Sequence, residues 1–227
     1  MSTVSVIGIH HEYGKGPTQL VALDDVSLEF IGGELTAIVG PSGCGKSTLL
    51  SIIGQVLVPS LGTVCIDDVP VSQSDVNRTR LRNSEFGFLF QDFALLEHAS
   101  VIENVVLPLR YSKKGISRRT RVARCEQILE ELGLSKCIHR PVRLLSGGQR
   151  QRVGMARALI AQPRIILADE PTGALDTHNG QIILSILKAQ AEQGKTVIVA
   201  THNTDLADAC HRTIALKDGR VASLTQV

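Results

Sequence analysis

The 227-residue chain has no tryptophan, two tyrosines and five phenylalanines. A surface that stacks unpaired bases needs aromatic side chains, so an aromatic content of 3% argues against that use. Nor is there an excess of one charge. The formal net charge of +2 lacks the strong field of a nucleic-acid binder, and no nucleic acid is expected as a partner. The five cysteines (Cys44, Cys65, Cys125, Cys137, Cys210) are odd in number, scattered and never spaced C-x-x-C. That pattern fits reduced thiols and excludes a disulfide framework or structural zinc. No apolar run approaches the roughly 18–20 residues that span a bilayer. The start, Met1 to Ser5, lacks the basic end and apolar stretch of a signal peptide. A cytosolic protein is expected, unless a partner holds it at a membrane.

What is present is an ordinary globular composition, 43% hydrophobic and 20% charged, in a chain long enough for a sizeable core. Strand-like and helix-like segments alternate without internal repeats. Residues 21–30 and 34–39 read as strands around the Gly32 and Gly33 turn. Residues 46–53 read as a helix opened by a glycine-rich loop, and 85–90, 164–168 and 196–200 as buried strands. Between 92 and 161 the signals are helical. Ser100 and Glu103 form a capping box, and Val122, Cys125, Ile128, Leu129 and Leu132 recur at helical spacing until Gly133. The expectation is one α/β domain over 1–227. Its P-loop NTPase core (1–91 and 162–227) has a mostly parallel sheet and an N-terminal antiparallel β part, with an inserted helical lobe at about 92–161.

Gly40, Pro41, Ser42, Gly43, Cys44, Gly45, Lys46 and Ser47 fit G-x-x-x-x-G-K-[ST] between a strand and a helix. Glycines let backbone N–H groups turn inward around phosphate oxygens, and the helix N-terminus adds partial positive charge. Lys46 can reach the β- and γ-phosphates, the Ser47 hydroxyl can ligate Mg²⁺, and Thr48 follows on the first turn. Alkylation of Cys44, inside this loop, is expected to block nucleotide by bulk. A second strand, 165–168, ends in Asp169 and Glu170. Asp169 can hold Mg²⁺ opposite Ser47. Glu170 then points toward a water lined up on the γ-phosphate and suits a general base.

Leu145, Ser146, Gly147, Gly148 and Gln149 resemble the signature sequence of ATP-binding cassette proteins. Two glycines expose N–H groups, Ser146 supplies a hydroxyl, and a helix over 149–161 points its positive end at an anion. With the P-loop already holding a nucleotide, this second phosphate-binding terminus has no partner in its own chain. The resemblance implies that it faces the nucleotide on a second copy, so that two ATP molecules are sandwiched between two subunits. It also implies roles for single residues. Gln91 resembles the glutamine that touches Mg²⁺ and the attacking water and reports to a permease. Asp176, with Ala174 and Leu175, resembles the loop that crosses the dimer interface. His202 resembles the histidine that contacts the γ-phosphate, and Tyr13 the aromatic that stacks on adenine. His10 and His11 beside it have no further ligands nearby for a metal.

Residues 90–96 and 103–109, with 169–176, are similar to the branch that includes lipoprotein-release, macrolide-efflux, haem-efflux and bacitracin-resistance ATPases. Many members carry Asn where Ala174 stands. Val56, Leu57 and Val58 are more apolar than that branch suggests, from local packing or as a contact surface. Seven basic residues and no acid lie between Arg110 and Arg124, either a solvated face or an attraction to anionic lipid. The resemblance implies an ATPase using ATP and Mg²⁺, paired with a second copy of itself and docked on a separate membrane permease at the cytoplasmic face of the plasma membrane. Export or extraction of an amphipathic substrate is expected. The alternatives are a cassette that transmits force to envelope enzymes, and a soluble cassette acting on nucleic acid or ribosomes.

Overall fold

Every residue of the segment Thr196–Thr201 is buried, whereas Leu20–Phe30 alternates buried with exposed positions. A strand of the first kind needs cover on both faces, one of the second kind on only one, and the two belong to different sheets. The computed structural model describes residues 2–14, 16–90, 94–112, 115–173 and 175–226, without the side chains of Pro17 and Gln226. The expectations for Gln91, Asp92, Lys113, Lys114 and Ala174 lie outside the described residues. In chain order the elements are β1 (Val4–Tyr13), β2 (Leu20–Phe30), β3 (Leu35–Val39), α1 (Lys46–Ile53), β4 (Leu61–Ile66) and β5 (Val69–Pro70). Then come α2 (Asp75–Ser84), β6 (Phe86–Leu89), α3 (Val101–Val105), α4 (Leu107–Arg110), α5 (Arg118–Glu131) and α6 (Gly147–Leu159). The chain continues through β7 (Ile165–Asp169), α7 (Thr177–Glu192), β8 (Thr196–Thr201), α8 (Thr204–Asp208), β9 (Arg212–Lys217) and β10 (Arg220–Gln226).

The larger sheet runs β10-β9-β3-β8-β7-β6, parallel except for the antiparallel edge strand β10. Its alternate residues feed two cores. Leu35, Ala37, Ile166, Ala168, Val197 and Val199 pack with buried residues of α3, α5, α6 and α7. Ile38, Ile165, Leu167, Ile198 and Ala200 pack against α1 and the four-stranded antiparallel sheet β2-β1-β4-β5. Leu49, Ile52 and Ile53 of α1 are fully buried, each stabilising by about 1.5–3 kcal/mol. Strands β3 and β7 flank β8, and their registers pair Val39 with Thr201 and Asp169 with Ala200. The loops leaving these three strands therefore meet at the carboxyl edge of a parallel sheet, where such sheets bind ligands.

Some boundaries differ from the sequence expectation. The strands on either side of the Gly32 turn enter different sheets, because β3 is buried at all but its last position while β2 is two-faced. Helix α6 starts at Gly147 rather than Gln149, since Ser146 caps it, and ends at Leu159. The Ser100–Glu103 capping box is present, and Gly133 leaves α5 at φ +67°. Among the described residues no helix is long and apolar enough to cross a membrane.

Candidate functional site: a nucleotide-binding loop, an acidic strand end and an open signature helix

The loop 40–45 turns from β3 into α1 through Gly45, which takes φ +104° as the α1 N-cap. A Cβ there would come within 2.5 Å of the Ala22 carbonyl oxygen, so only glycine fits. Lys46 is 8% exposed, and its ammonium Nζ donates to the carbonyls of Gly40 (2.8 Å) and Pro41 (3.0 Å). A buried cation held on its own loop, beside a helix N-terminus, is a cradle that an oligophosphate completes. Cys44 is buried, with Lys46 Nζ 3.9 Å from its Sγ. Its thiol is thus enclosed rather than offered to a reagent.

Asp169 ends β7 and lines one small cavity together with Ser47. Burial holds the Asp169 carboxyl above its ordinary range; the Ser47 hydroxyl and the Lys46 charge oppose this, and the Glu170 charge adds to it. Among the described residues no three His, Cys, Asp or Glu side chains converge as a metal cage. One hydroxyl and one carboxylate form the sparse protein set that Mg²⁺ accepts while keeping water and phosphate ligands, and the two donors fit that ion.

Glu170 sits at φ +47°, a left-handed conformation uncommon for a side chain of this size. Its N–H donates to the Ala200 carbonyl at 2.9 Å, which pins it to the end of β8. Both carboxylate oxygens are engaged. Oε1 lies 2.7 Å from His202 Nδ1, and Oε2 accepts from the Thr201 hydroxyl at 3.2 Å. The carboxylate is 11% exposed while the imidazole is 69% exposed, so the pair leads from the sheet edge to open space. Thr201 has no role in the sequence reading; a hydroxyl closing the apolar run of β8 is its only signal.

The signature residues lie at the start of α6. Ser146 Oγ accepts from Gln149 N at 3.3 Å, and Gln149 Oε1 accepts from Ser146 N at 3.1 Å. Nothing lies within 4 Å of where a Cβ on Gly147 would stand, whereas one on Gly148 would meet the Asn179 side chain at 2.9 Å. Asn179 is in turn tied to Asp176, whose Oδ1 accepts from Asn179 N (2.8 Å) as the cap of α7. The Asp176 carboxyl is held below its ordinary range, first by that backbone bond and then by the Asn179 amide. Gln151 of α6, fully buried, donates to the Pro171 carbonyl. The signature helix is thus joined to the segment after Glu170 within one chain. Among the described residues no hydrogen bond joins residues 146–149 to the loop 40–48.

Tyr13 ends β1 with its hydroxyl 3.3 Å from Thr48 Oγ1, so the structure brings it to the first turn of α1. His10 and His11 do not act together. His10 lies between Glu12 (2.8 Å) and Asp24 (3.2 Å) as an ion-pair hub, and His11 packs against Tyr13. At the other side of the site, Phe88 and Phe90 stack with ring centres 5.5 Å apart. They line a groove of about 340 Å³ with Phe86, Leu107 and the exposed Tyr111. The same two rings, with Val56, also line a small cavity of about 30 Å³ that reaches Ser47 and Asp169. Val56 and Val58 are exposed rather than packed into the core.

Comparison with known proteins agrees with this geometry. The sequence pattern of the ABC transporter family matches residues 23–173. The macrolide export ATP-binding/permease protein MacB of Salmonella typhi is 42% identical over 219 residues, 96% of this chain. That match covers 34% of MacB, so the chain spans about a third of the length of these relatives. An ABC transporter ATP-binding protein of Thermotoga maritima is 40% identical over 97% of this chain and 94% of its own length. The dimeric cassette MJ0796, a bacterial ABC transporter cassette, superposes with a TM-score of 0.91 at 39% identity, covering 98% of both chains. It has also been solved in a post-hydrolysis state bound to ADP and Pi. On the family match, the relatives and the shared fold together, the chain belongs to the ABC transporter family, as one of its ATPase cassettes.

Proposed function

We propose that the chain is the ATP-hydrolysing nucleotide-binding subunit of a transporter, closing with a second copy around two MgATP and driving a permease carried on a separate polypeptide. The observation that carries the dimer reading is the open space in front of Gly147 and the exposed Ser146. A capped helix N-terminus with free N–H groups attracts an anion, and among the described residues nothing lies within 4 Å in front of Gly147. The γ-phosphate on a partner's P-loop is the group of matching charge, and MJ0796 is itself a dimer.

In this reading the loop 40–45, Lys46 and Thr48 hold the triphosphate, and Tyr13 stacks on the base. Ser47, Asp169 and Gln91 hold Mg²⁺, which when bound neutralises charge developing on the phosphates. Glu170 accepts a proton from the attacking water, and His202, held by Glu170, faces the γ-phosphate. Asp176 lies at the dimer seam. The cassette is organised as an α/β core, 1–91 and 162–227, with 92–161 as a helical lobe, and the apolar groove at Phe88, Phe90 and Tyr111 receives the permease. The macrolide named for MacB favours an amphipathic substrate for export, with the protein peripheral at the cytoplasmic membrane face.

The test uses the Glu170→Gln chain in sedimentation. With ATP it should form dimers that Ser146→Arg abolishes while nucleotide affinity is kept. A Glu170→Gln chain that stays monomeric at saturating ATP would overturn the sandwich. Affinity capture of the same variant from detergent-solubilised membranes should bring down an integral protein; capture of soluble protein or ribosomes alone would remove the permease.

A further inference from the structure

We infer that His11 is a positioning residue for the base end of the nucleotide site: its buried ring braces Tyr13 so that a face of the phenol ring is held ready for a purine. The inference rests on the nucleotide site proposed above, and concerns a residue that site does not otherwise use.

His11 and Tyr13 are two apart in β1 and so leave the same side of the strand. The register of β1 against β2 slips on both sides of His11, between Ile9 and His11 and between His11 and Glu12. Slips of this kind re-aim side chains. The two rings meet edge to face, centres 4.7 Å apart and planes at 85°, the arrangement that aromatic quadrupoles favour. At its far end the Tyr13 hydroxyl reaches Thr48 Oγ1 at 3.3 Å. Tyr13 is therefore held at both ends, yet it keeps 42% of its surface open while His11 keeps 8%.

The imidazole is not accounted for by a polar network. Nδ1 is buried and has no hydrogen-bond partner among the described residues, a costly arrangement for a ring nitrogen. What the side chain supplies at this position is a rigid ring. An exposed tyrosine near a strand end loses rotamer freedom when it stacks; one already braced loses less and binds the base more tightly.

Calorimetric titrations of the full chain with ATP and with inorganic tripolyphosphate, both without Mg²⁺, separate the base end from the phosphate end. His11→Ala should weaken ATP binding about 3- to 10-fold, the size of one aromatic pair, with tripolyphosphate unchanged. His11→Phe, which keeps a ring, should bind both like the wild type. Should His11→Ala fail to fold, His11→Leu fills the space without a ring and carries the same comparison.

The inference is overturned if His11→Ala (or Leu) binds ATP normally while Tyr13→Ala does not. Equal weakening of ATP and tripolyphosphate overturns it too, as does a His11→Phe chain no better than the ringless variant. Tyr13→Ala binding ATP as the wild type does would instead remove the stacking role of Tyr13, and this inference with it.

Discussion

Replacing Glu170 by glutamine changes one charge and almost no volume at the residue proposed to take the proton from water. The side chain is largely enclosed, and its backbone is pinned by the Ala200 carbonyl. The glutamine carbonyl can keep accepting from Thr201, and its amide can face His202 with the imidazole in the other tautomer. The fold should therefore survive. A positioned general base contributes about 10²- to 10⁴-fold, so hydrolysis should slow by that factor, equivalent to about 2.7–5.4 kcal/mol of barrier. Nucleotide affinity should stay within about twofold, because Glu170 is placed on the water and not on the phosphates. Phosphate release under saturating MgATP is the assay.

The 2.7 Å bond between Glu170 Oε1 and His202 Nδ1 adds a sharper requirement. A hydrogen bond to a charged group is worth about 1.5–3 kcal/mol, so His202→Ala alone should cost about 10- to 100-fold. If the two act as a unit, the double variant should be no slower than Glu170→Gln, since the bond that His202 supplies has already lost its charged acceptor. Strictly multiplied losses would show two independent roles. A Glu170→Gln chain hydrolysing within threefold of wild type would refute the base assignment outright.

Asn104 is fully buried and accepts from Leu96 N at 2.7 Å while donating to the carbonyls of Leu96 and Ser100. Asn104→Leu strands the Leu96 N–H, while the Leu96 and Ser100 carbonyls keep the N–H groups of Ala99 and Asn104; at about 1–3 kcal/mol it should lower Tm by about 2–12 °C, and calorimetry showing less than about 1 °C would refute it. His10 titrates with the opposite sense to the surface carboxylates. Glu12, then Asp24, raise its pKa above the ordinary value, so its stabilisation is complete below about pH 6.5 and is lost as pH rises through the raised folded value. Glu12, Asp24, Asp67, Glu103 and Asp176 are lowered, and their contribution disappears as pH falls from about 4. His10→Gln should flatten the loss of Tm between pH 6.5 and 8.5; an unchanged slope would exclude His10 as its source.

The proposed phosphate end of the site was readable as a motif because its spacing is local. A loop of six residues between strand and helix, or a Ser–Gly–Gly–Gln helix start, carries its geometry in its own spacing, and α1 begins at Lys46 as that spacing requires. The proposed base end was readable only as a likeness at Tyr13. Its supports, His11 and Thr48, come from two elements joined by tertiary contact, and the slipped register of β1 hides the alternation that marks a strand. β4, β5, β9 and β10 were missed as strands for a related reason: each is short, has exposed or half-exposed positions along it, and lacks the apolar run that betrays β7 and β8. Thr201 illustrates the limit. Nothing near it in sequence shows that its hydroxyl would meet a carboxylate 31 positions away.

The same long-range assembly bears on how hydrolysis would be felt by a permease. Phe88 of the four-residue strand β6 and Phe90 just after it line both the cavity of Ser47 and Asp169 and the groove with Tyr111. Close-packed interiors transmit displacement instead of absorbing it, and these two rings line both spaces. Arg157 of α6 donates to the Ala94 carbonyl at 2.6 Å, and Arg150 pairs with Glu97 at 3.3 Å. Both bonds tie the signature helix to the segment that follows Gln91. A partner's phosphate arriving at Ser146 and a change at Asp169 would therefore converge on one wall of the groove. On the proposed function, closing of the dimer and movement of whatever occupies that groove are one mechanical event, with no separate relay between them.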